Sequence, residues 1–349
     1  MSNPRASWLL PTLLGLLIVA AVVALGVGAY ALSPGRIVAV TLTRLGLASA
    51  DGDIARDAAV LGAIRLPRVL AAMLVGAGLG AAGSAMQGLL RTPLVEPGLI
   101  GVSSGAAVAA AAVALAAIPL AAALGELGSH LFTLVLTGAA GVGVTALLLA
   151  VSSRRGEPSV LTMLLVGIAI NSFAAAAIAV VVFADPNAQQ VQATFWLLGS
   201  LGGASWLDLA VLAPVVLGAG ILLYFKGTAI DSAVLGATVA RSAGVDMRAL
   251  RLHVAGGAAI ATAAATSVAG VVAFLGLLAP MALRPLVGAA HRRLIVGSAL
   301  LGALVMVTAD LLARVLFVPT ELPVGVLVAS VGAPAFLVAL LREQRAGRL

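Results

Sequence analysis

Apolar segments of membrane-spanning length recur along this chain from end to end, and they limit its fold more than any other feature. A helix needs about 20 apolar residues to cross a bilayer. With 62% apolar and 9% charged residues, the 349-residue chain also lacks the polar residues that would cover a soluble core. Ten segments can be marked: Trp8–Ala31, Leu66–Leu90, Leu99–Ala123, Leu131–Val151, Leu161–Phe183, Leu207–Phe225, Leu250–Leu275, Leu277–Ala290, Leu294–Leu312 and Val324–Leu341.

These segments predict an all-α polytopic membrane protein with ten transmembrane helices, in which residues 1–349 form one transmembrane domain. A transmembrane β-barrel is excluded, because its strands alternate apolar and polar residues over about ten positions. The eighth segment is short. Gly270, Gly276 and Pro280 interrupt the seventh and eighth segments, so the sequence does not fix the boundary between them.

The first segment has some features of a signal peptide, since Arg5 precedes it and Ala-Tyr-Ala at its end matches a cleavage site. Its apolar run of roughly 24 residues is longer than the 7–15 residues of a signal core. Because every later segment is also membranous, we interpret the first segment as a retained span.

The basic residues are divided unequally between the gaps that join the segments, and cytoplasmic loops are the ones enriched in Lys and Arg. If the N-terminus is inside, ten spans return the C-terminus to the inside. Of the 20 basic residues, six then lie outside and the other fourteen inside, which predicts that both termini are cytoplasmic. The six outside are Arg36, Arg44, Arg56, Arg65, Arg68 and Arg314.

Composition excludes several kinds of site. The chain has no cysteine, and therefore no disulfide, thiolate metal site or iron–sulfur cluster. Membrane topology accounts for the net charge of +7, so nucleic-acid binding is not expected. Lys226 is the only lysine and follows Phe225, which excludes a GxxxxGK[ST] phosphate loop. We predict no catalytic residue, no metal site and no bound cofactor.

A stripe of small residues runs along the second segment at every fourth position. Such a stripe lets another helix approach closely where lipid offers no hydrophobic drive. Packing within one subunit is the favoured interpretation, and a dimer interface is the alternative. The stripe consists of Gly76, Gly80, Ser84 and Gly88.

The segment Gln189–Trp206 is amphipathic and too polar to span a membrane. Its aromatic residues are of the kind found at the level of the lipid headgroups. We expect it to lie flat on the outer surface.

One connection, at about residues 230–248, looks like a soluble surface helix placed between apolar segments. Asp231 or Ser232 is positioned to cap this helix, Gly244 to end it in a left-handed turn, and Asp246 to cap the next helix. A groove of another protein could accept its surface, whereas an amphipathic connector lying on the membrane is the alternative. Small residues (Gly236, Ala237, Ala240, Ala243) surround Val234, Leu235 and Val239, with Arg241 in the last turn.

The same connection carries a family resemblance. "LGATVARSAGV" (Leu235–Val245) resembles the coupling segment of ABC importer permeases, in which LG, three residues, AR, two residues and GV follow one another. Three longer segments, Arg65–Ala107, Ala273–Leu294 and Ala309–Leu341, are similar to the permeases of the iron-siderophore, haem and vitamin B12 family, the FecCD family of type II ABC importers. The resemblance covers nearly the whole chain through several ordered motifs.

The resemblance implies a homodimeric permease of the bacterial inner membrane, with ten spans per subunit and one translocation path on the two-fold axis. Two cytoplasmic ATPase subunits would use ATP, and a soluble periplasmic binding protein would deliver the substrate. One departure is Met281, where family members usually have His. The residues implied in ATPase coupling are Leu235, Gly236, Val239, Ala240, Arg241, Gly244 and Val245.

Two arginines at outer span ends match the family's docking cations for the binding protein. Arg65 is the first Arg of "RLPR", and Arg314 is the Arg of "ADLLAR". The guanidinium fork suits this role because it pairs with carboxylates and stays charged. An i,i+4 ion pair with Asp310 is the alternative for Arg314. Arg68 is ranked below the other two, since its side chain could instead reach the lipid headgroups.

Two short inside loops, "RTPL" and "EPSVL", resemble the family's cytoplasmic gate. Their Pro residues would equally suit ordinary span-connecting turns. Asn171, midway along the fifth segment, is a polar group that faces the translocation path or forms a helix–helix hydrogen bond. The residues implied in the gate are Thr92, Leu94, Ser159 and Val160.

Two functions of different classes follow. The first is the permease of an ATP-driven importer for an iron-containing or corrinoid ligand, with haem preferred to ferric siderophore and vitamin B12. The second is an ion-driven carrier, which requires ionisable groups near the middle of the membrane. Asp310 is the carboxylate closest to such a position.

Overall fold

The computed structural model describes residues 4–28, 30, 32–44, 52–96, 98, 101–115, 117–154, 157–158, 160–184, 198–288, 290–317 and 320–345. Its regular secondary structure, in the described residues, is helical apart from one ladder of two-residue strands. In order, the elements are α1 Pro4–Gly26, α2 Pro34–Arg44, α3 Gly52–Ala59, a π-helical turn Val60–Arg65, α4 Leu66–Leu90, α5 Val102–Leu115, α6 Ala117–Ser152, β1 Ser153–Arg154, β2 Glu157–Pro158, α7 Val160–Ala184, α8 Trp206–Val234, α9 Ala237–Ser242, α10 Met247–Ala269, α11 Leu275–Val287, α12 His291–Val315 and α13 Val324–Arg345.

The architecture confirms the predicted all-α membrane fold. Within the described residues, six helices are long and apolar enough to cross a membrane. Three shorter apolar stretches, Leu165–Ala177, Leu275–Val287 and Val324–Val338, accompany them. The number of ten spans and the homodimer remain predictions.

Helix α4 is the centre of the bundle. It packs against α8, α10, α11 and α12, and nineteen of its twenty-five residues are buried. A helix surrounded in this way has no polar face, which explains why its apolar residues show no amphipathic period. Pro67 lies in its first turn, where a missing N–H costs no hydrogen bond. Helices α5, α6 and α7 pack together beside α10.

The predicted stripe of small residues lies inside the subunit, against α12. A Cβ atom at Gly76 would lie 2.2 Å from the carbonyl oxygen of Gly302, and one at Gly80 would lie 2.1 Å from that of Ser298. No side chain fits at such distances, so the two backbones touch only because glycine is present. The interpretation as packing within one subunit is confirmed for these positions.

The chain breaks between α10 and α11 at residues 270–274. Gly270 has φ 68° and Phe274 has φ 67°, and both values end the helical path. Gly276 and Pro280 lie inside α11 and do not interrupt it. The predicted break at Gly270 is therefore confirmed, whereas the predicted breaks at Gly276 and Pro280 and the extension of the seventh span to Leu275 are wrong.

The gap predicted between the first two spans contains helices α2 and α3 and the π-helical turn, which leads directly into α4. Sequence periodicity did not reveal them, because they are short and carry several charges. The first half of the predicted surface segment Gln189–Trp206, residues 189–197, lies outside the described residues. In the second half Leu201 is buried and Ser200 N–H donates to Ala269 O at 2.9 Å, so this half packs against the bundle. Its last residue, Trp206, begins α8 and donates its indole N–H to the carbonyl oxygen of Gly62 at 2.8 Å.

Candidate functional site

Three arginines meet at the end of the bundle that is predicted to face outward. Arg65 ends the π-helical turn, Arg68 lies in the first turn of α4, and Arg314 lies in the last turn of α12. We name Arg65, Arg68 and Arg314 the outer arginine cluster. They line a cavity of about 500 Å³ together with Gly28, Tyr30, Arg56, Val60, Ile64 and Glu321.

Two carboxylates of the same chain, those of Asp310 and Glu321, form ion pairs with the cluster. Arg68 donates from Nε to Asp310 Oδ1 at 2.9 Å, and its Nη1 lies 2.9 Å from Glu321 Oε2. Arg314 Nε lies 3.1 Å from Asp310 Oδ2. Asp310 is buried and therefore depends on both arginines for compensation of its charge. The i,i+4 pair given as the alternative for Arg314 is present. The alternative for Arg68, a side chain that reaches the lipid headgroups, is not what the structure shows, because Arg68 is bound to Asp310 and Glu321.

The cluster also holds the end of α1. Arg65 Nη1 donates to the carbonyl oxygens of Leu25 at 2.6 Å and Gly26 at 3.0 Å, and its Nη2 donates to that of Tyr30. Arg314 Nη1 donates to the carbonyl oxygen of Ala24 at 3.2 Å. The last carbonyls of a helix lack partners within that helix, so these two arginines satisfy them from outside.

The geometry thus joins the three residues that the sequence assigned to docking, but it gives each of them partners inside the chain. They are only 5–6% exposed. Arg314 Nη2 has no hydrogen-bond partner in the described part of the chain. Arg56, on α3, is exposed at the cavity wall. Sequence reasoning treated Arg56 only as a loop charge, and Glu321 was not linked to any arginine.

The connecting segment, defined as residues 235–246, is fixed to the bundle at both ends. Helix α9 ends in a Schellman motif, because Gly244 N–H donates to Arg241 O and Val245 N–H donates to Ala240 O, both at 2.9 Å. Gly244 has φ 79° as predicted, and the Asp246 carboxylate accepts from the first N–H groups of α10. The helix is therefore a fixed element with a defined orientation.

Not all of the residues predicted to form the surface of the connecting segment are exposed. Leu235 is 73% exposed and Val239 is 48% exposed, whereas Ala240 is fully buried in the core of the bundle. Ala240 therefore faces this chain and is not part of a surface offered to a partner. Gly236, at φ 132°, is the N-cap residue, and a Cβ atom there would meet only Val239 Cγ2, at 3.9 Å.

The predicted N-cap residues of this helix are wrong. Asp231 and Ser232 lie inside α8, which continues to Val234. Asp231 Oδ1 instead accepts from the backbone N–H of His291 at 2.9 Å and lies 2.6 Å from its Nδ1. This contact joins α8 to the start of α12 just before the connecting segment.

The first predicted gate loop is a compact turn. Arg91 ends α4 in a left-handed conformation at φ 54°, and Thr92 N–H donates to Gln87 O at 3.2 Å. Leu94 N–H donates to Thr92 Oγ1 at 3.4 Å, and both Thr92 and Leu94 are half-buried. In the second loop, β1 pairs with β2 in an antiparallel ladder. Ser159 lies outside the described residues, and Val160 begins α7.

Asn171 lies on α7 and is half-buried. Its Oδ1 accepts a hydrogen bond from Ser104 Oγ on α5. This is the helix–helix hydrogen bond that the sequence left open as an alternative to a position on the translocation path.

The family model described as the FecCD transport family matches residues 16–342 of the chain. The chain belongs to the FecCD transport family. Like other members, it is an ABC importer permease and an integral protein of the inner membrane. Permeases of this family work with ATPase subunits and a periplasmic binding protein.

Several FecCD relatives match most of the chain. The hemin transport system permease protein HmuU of Yersinia pestis is 39% identical, over 81% of this chain and 84% of its own length. The Fe(3+)-citrate import system permease protein YfmE of Bacillus subtilis is 34% identical over 95% and 93%. The vitamin B12 import system permease protein BtuC of Vibrio cholerae is 35% identical over 80% and 82%.

A solved structure has the same fold. It is an inward-facing conformation of an ABC transporter of the metal-chelate type, with a TM-score of 0.79 and 30% identity. The match covers 95% of this chain and 98% of that chain. The FecCD fold therefore extends over nearly all of the chain.

Proposed function

We propose that this chain is the permease subunit of an ATP-driven importer that moves haem from a periplasmic binding protein into the cytoplasm. The similarity to HmuU, whose name refers to hemin, is the observation that favours haem. Ferric siderophore, ferric citrate and vitamin B12 are the alternatives, because relatives named for siderophore, citrate and B12 transport are 34–35% identical.

The binding protein would dock at the cavity of the outer arginine cluster. Four arginines line this cavity, Arg56, Arg65, Arg68 and Arg314, against Glu321 in its wall. The surplus of positive charge suits an acidic side chain of a partner. Arg56 would make the first contact, since it is exposed whereas the other three are buried.

The ATPase subunits, one for each copy of the permease in a homodimer, would bind the connecting segment. Leu235 and Val239 are exposed next to Arg241, so a small apolar surface with one cation is available to a groove. Ala240, Gly244 and Val245 would hold the segment in place through their packing and their turn. Hydrolysis of ATP would occur on the partner, at the cytoplasmic side where both termini of this chain would also lie.

The translocation path would be closed at the cytoplasmic side by Thr92, Leu94, Ser159 and Val160. Leu94 supplies an apolar side chain at a short, hydrogen-bonded turn, which suits a narrow closure. Asn171 would stand beside the path while it bonds to Ser104.

No observation favours the ion-driven carrier. Such a carrier needs a carboxylate that gains and loses an ion near the middle of the membrane. Asp310, the candidate from the sequence, is bound to two arginines near the end of α12.

A ligand panel tests the choice of substrate. The permease, its ATPase subunit and the binding protein are reconstituted in vesicles and supplied with haemin, a ferric hydroxamate siderophore, ferric citrate or cobalamin. We expect haemin uptake at least tenfold above the other three. Equal or greater uptake of another ligand would reject haem as the substrate. The variant Leu235→Glu, which should not engage the ATPase, provides the background rate.

A further inference from the structure

Asp231 and His291 form a junction at the end of the bundle that is predicted to face the cytoplasm, and the proposed function gives neither residue a role. Asp231 lies in the last turn of α8, directly before the connecting segment. His291 is the first residue of α12 and is 3% exposed. A polar ring is costly to bury without a partner, so the position of His291 requires an explanation.

Asp231 supplies the helix cap that α12 lacks in its own sequence. Ala290, the N-cap residue of α12, makes no side-chain hydrogen bond, although the first N–H groups of a helix need acceptors. Asp231 Oδ1 accepts from the backbone N–H of His291 at 2.9 Å and lies 2.6 Å from the Nδ1 atom of its ring. A carboxylate at a helix N-terminus is also favoured by the helix dipole. The end of α8 is therefore bonded to the start of α12 through both the backbone and the ring of His291.

Two earlier turns of α8 contact the same end of α12. A Cβ atom at Gly227 would lie 2.8 Å from the backbone nitrogen of Arg292, so the helices approach closely only because glycine is present. The Arg292 guanidinium lies over the ring of Tyr224, 5.4 Å from its centroid. Three successive turns of α8, at Tyr224, Gly227 and Asp231, thus hold the start of α12.

The imidazole ring of His291 packs against the end of α4. A Cβ atom at Gly88 would lie 2.4 Å from His291 Nε2 and 2.4 Å from Ile230 Cγ2. These two side chains therefore occupy the space that a larger residue at position 88 would fill. The carbonyl oxygen of Gly88 accepts from Arg91 N–H at 3.4 Å, at the point where the first gate loop begins. The ring thus lies against the residue from which the gate loop starts.

We propose that Asp231 and His291 are a pair of positioning residues that transmit a displacement of the connecting segment to the gate loop at the end of α4. The proposal rests on the proposed function, which assigns the connecting segment to the ATPase and this loop to the gate. Coupling between separate sites is carried by packed side chains and hydrogen bonds. Here the route leads from Asp231 through His291 to Gly88.

A second Asp–His pair, at the opposite end of the 29-residue helix α8, provides a matched control. His130 Nε2 lies 2.8 Å from Asp208 Oδ1, and Asp208 also forms the capping box of α8 with Ser205. In each pair one side chain is buried and the other is about 40% exposed. Asp208→Ala therefore breaks a similar contact without touching the end of α4.

The experiment uses the absence of cysteine from the chain. Leu94→Cys is introduced as a reporter in the gate loop, and the permease is assembled with its ATPase subunit. The rate of labelling by a water-soluble maleimide is compared with and without ATP plus vanadate, and ATP hydrolysis is measured without vanadate. With the pair intact, we expect ATP to change the labelling rate by at least about fivefold, since coupling between two sites is typically of that size or larger.

Asp231→Ala removes both bonds to α12, so the labelling response to ATP should be lost while hydrolysis stays within about twofold of the wild type. Asp231→Asn keeps an acceptor oxygen and should retain the response. His291→Asn keeps a donor for Asp231 but ends short of Gly88, and it should lose the response as Asp231→Ala does. It also replaces Asp231→Ala if that variant does not accumulate. Asp208→Ala should keep both the response and hydrolysis.

The outcomes separate this proposal from the assignments on which it rests. A response that persists in Asp231→Ala or in His291→Asn would overturn the proposal, and so would an equal loss in Asp208→Ala. Loss of hydrolysis together with the response would assign the pair to the assembly of the complex and would also overturn transmission. If Leu94→Cys does not respond to ATP with the pair intact, the gate assignment itself is wrong and the proposal falls with it.

Discussion

The outer arginine cluster and the connecting segment show opposite arrangements. The cluster consists of charged residues that are buried and bound to Asp310, Glu321 and the end of α1. The connecting segment has exposed apolar residues, Leu235 and Val239, on a helix that is fixed by a buried alanine and two hydrogen-bonded ends. In each region, some of the residues that the sequence predicted to contact a partner instead stabilise the fold of this chain.

This difference changes which substitutions test function. Reversal of Arg65 or Arg314 to Glu removes hydrogen bonds from the last carbonyls of α1, so a loss of docking would be accompanied by a loss of stability. Substitution of Leu235 removes a side chain that makes little contact with its own chain. Variants must therefore be chosen by burial, with stability measured beside binding.

The largest effect is expected for Asp310→Asn. The change leaves Arg68 and Arg314 without their shared carboxylate, and removal of one partner from a buried ion pair costs about 3–5 kcal/mol. Thermal unfolding in detergent should show a clearly lower midpoint. Asp53→Asn, in an exposed pair with Arg36, is the control and should cost less than about 1 kcal/mol. Equal midpoints for the two variants would mean that the cluster does not stabilise the fold.

Ala240→Trp should destabilise the permease itself. The alanine is fully buried, so a larger side chain overpacks the core at a cost of about 1–3 kcal/mol. Val239→Trp, one residue earlier and half exposed, should leave the unfolding midpoint unchanged and weaken only ATPase binding. If Ala240→Trp unfolds at the wild-type temperature, the assignment of Ala240 to the inner face is wrong.

Leu235→Glu should weaken the ATPase complex without affecting stability. Loss of an exposed apolar anchor and addition of a charge should lower the affinity at least tenfold, about 1.4 kcal/mol. Copurification and titration of the ATPase subunit measure this change. Leu235→Met retains an apolar side chain and should bind within about twofold of the wild type. If Leu235→Glu binds the ATPase subunit with unaltered affinity, the connecting segment only joins α8 to α10 and does not bind the ATPase.

The smallest effect is expected for Arg56→Glu, at the exposed edge of the cavity. Charges at the rim of an interface act mainly on the association rate and are screened by salt. We expect binding-protein association to slow by a few fold at low salt, with less effect at high salt and no change in stability. Arg56→Gln should give a smaller decrease. A rate that does not change with either variant would remove Arg56 from the docking surface.

The fold class followed from the sequence because apolar length and glycine spacing are local properties. Gly244 and Asp246 were correctly predicted as helix ends, since capping depends on a few neighbouring residues. Asp231 was not, because its partner His291 lies 60 residues away. The pairing of Arg68 with Asp310 spans 242 residues and has no local signal.

The candidate sites were predicted in the same uneven way. The three clustered arginines were found through motifs, but neither their burial nor the role of Glu321 could be seen. A small residue at position 240 is required whether a partner protein or the core of the chain itself packs closely against it. The spacing of the small residues does not distinguish these two explanations.

ATP-dependent uptake tests the central claim most directly. Vesicles that contain the permease and its ATPase are loaded with ATP, or with a non-hydrolysable analogue, and receive haemin-charged binding protein outside. We predict haemin uptake with ATP, none with the analogue, and no loss when ionophores remove the proton and sodium gradients. Uptake that proceeds with the analogue and stops with the ionophores would contradict an ATP-driven importer.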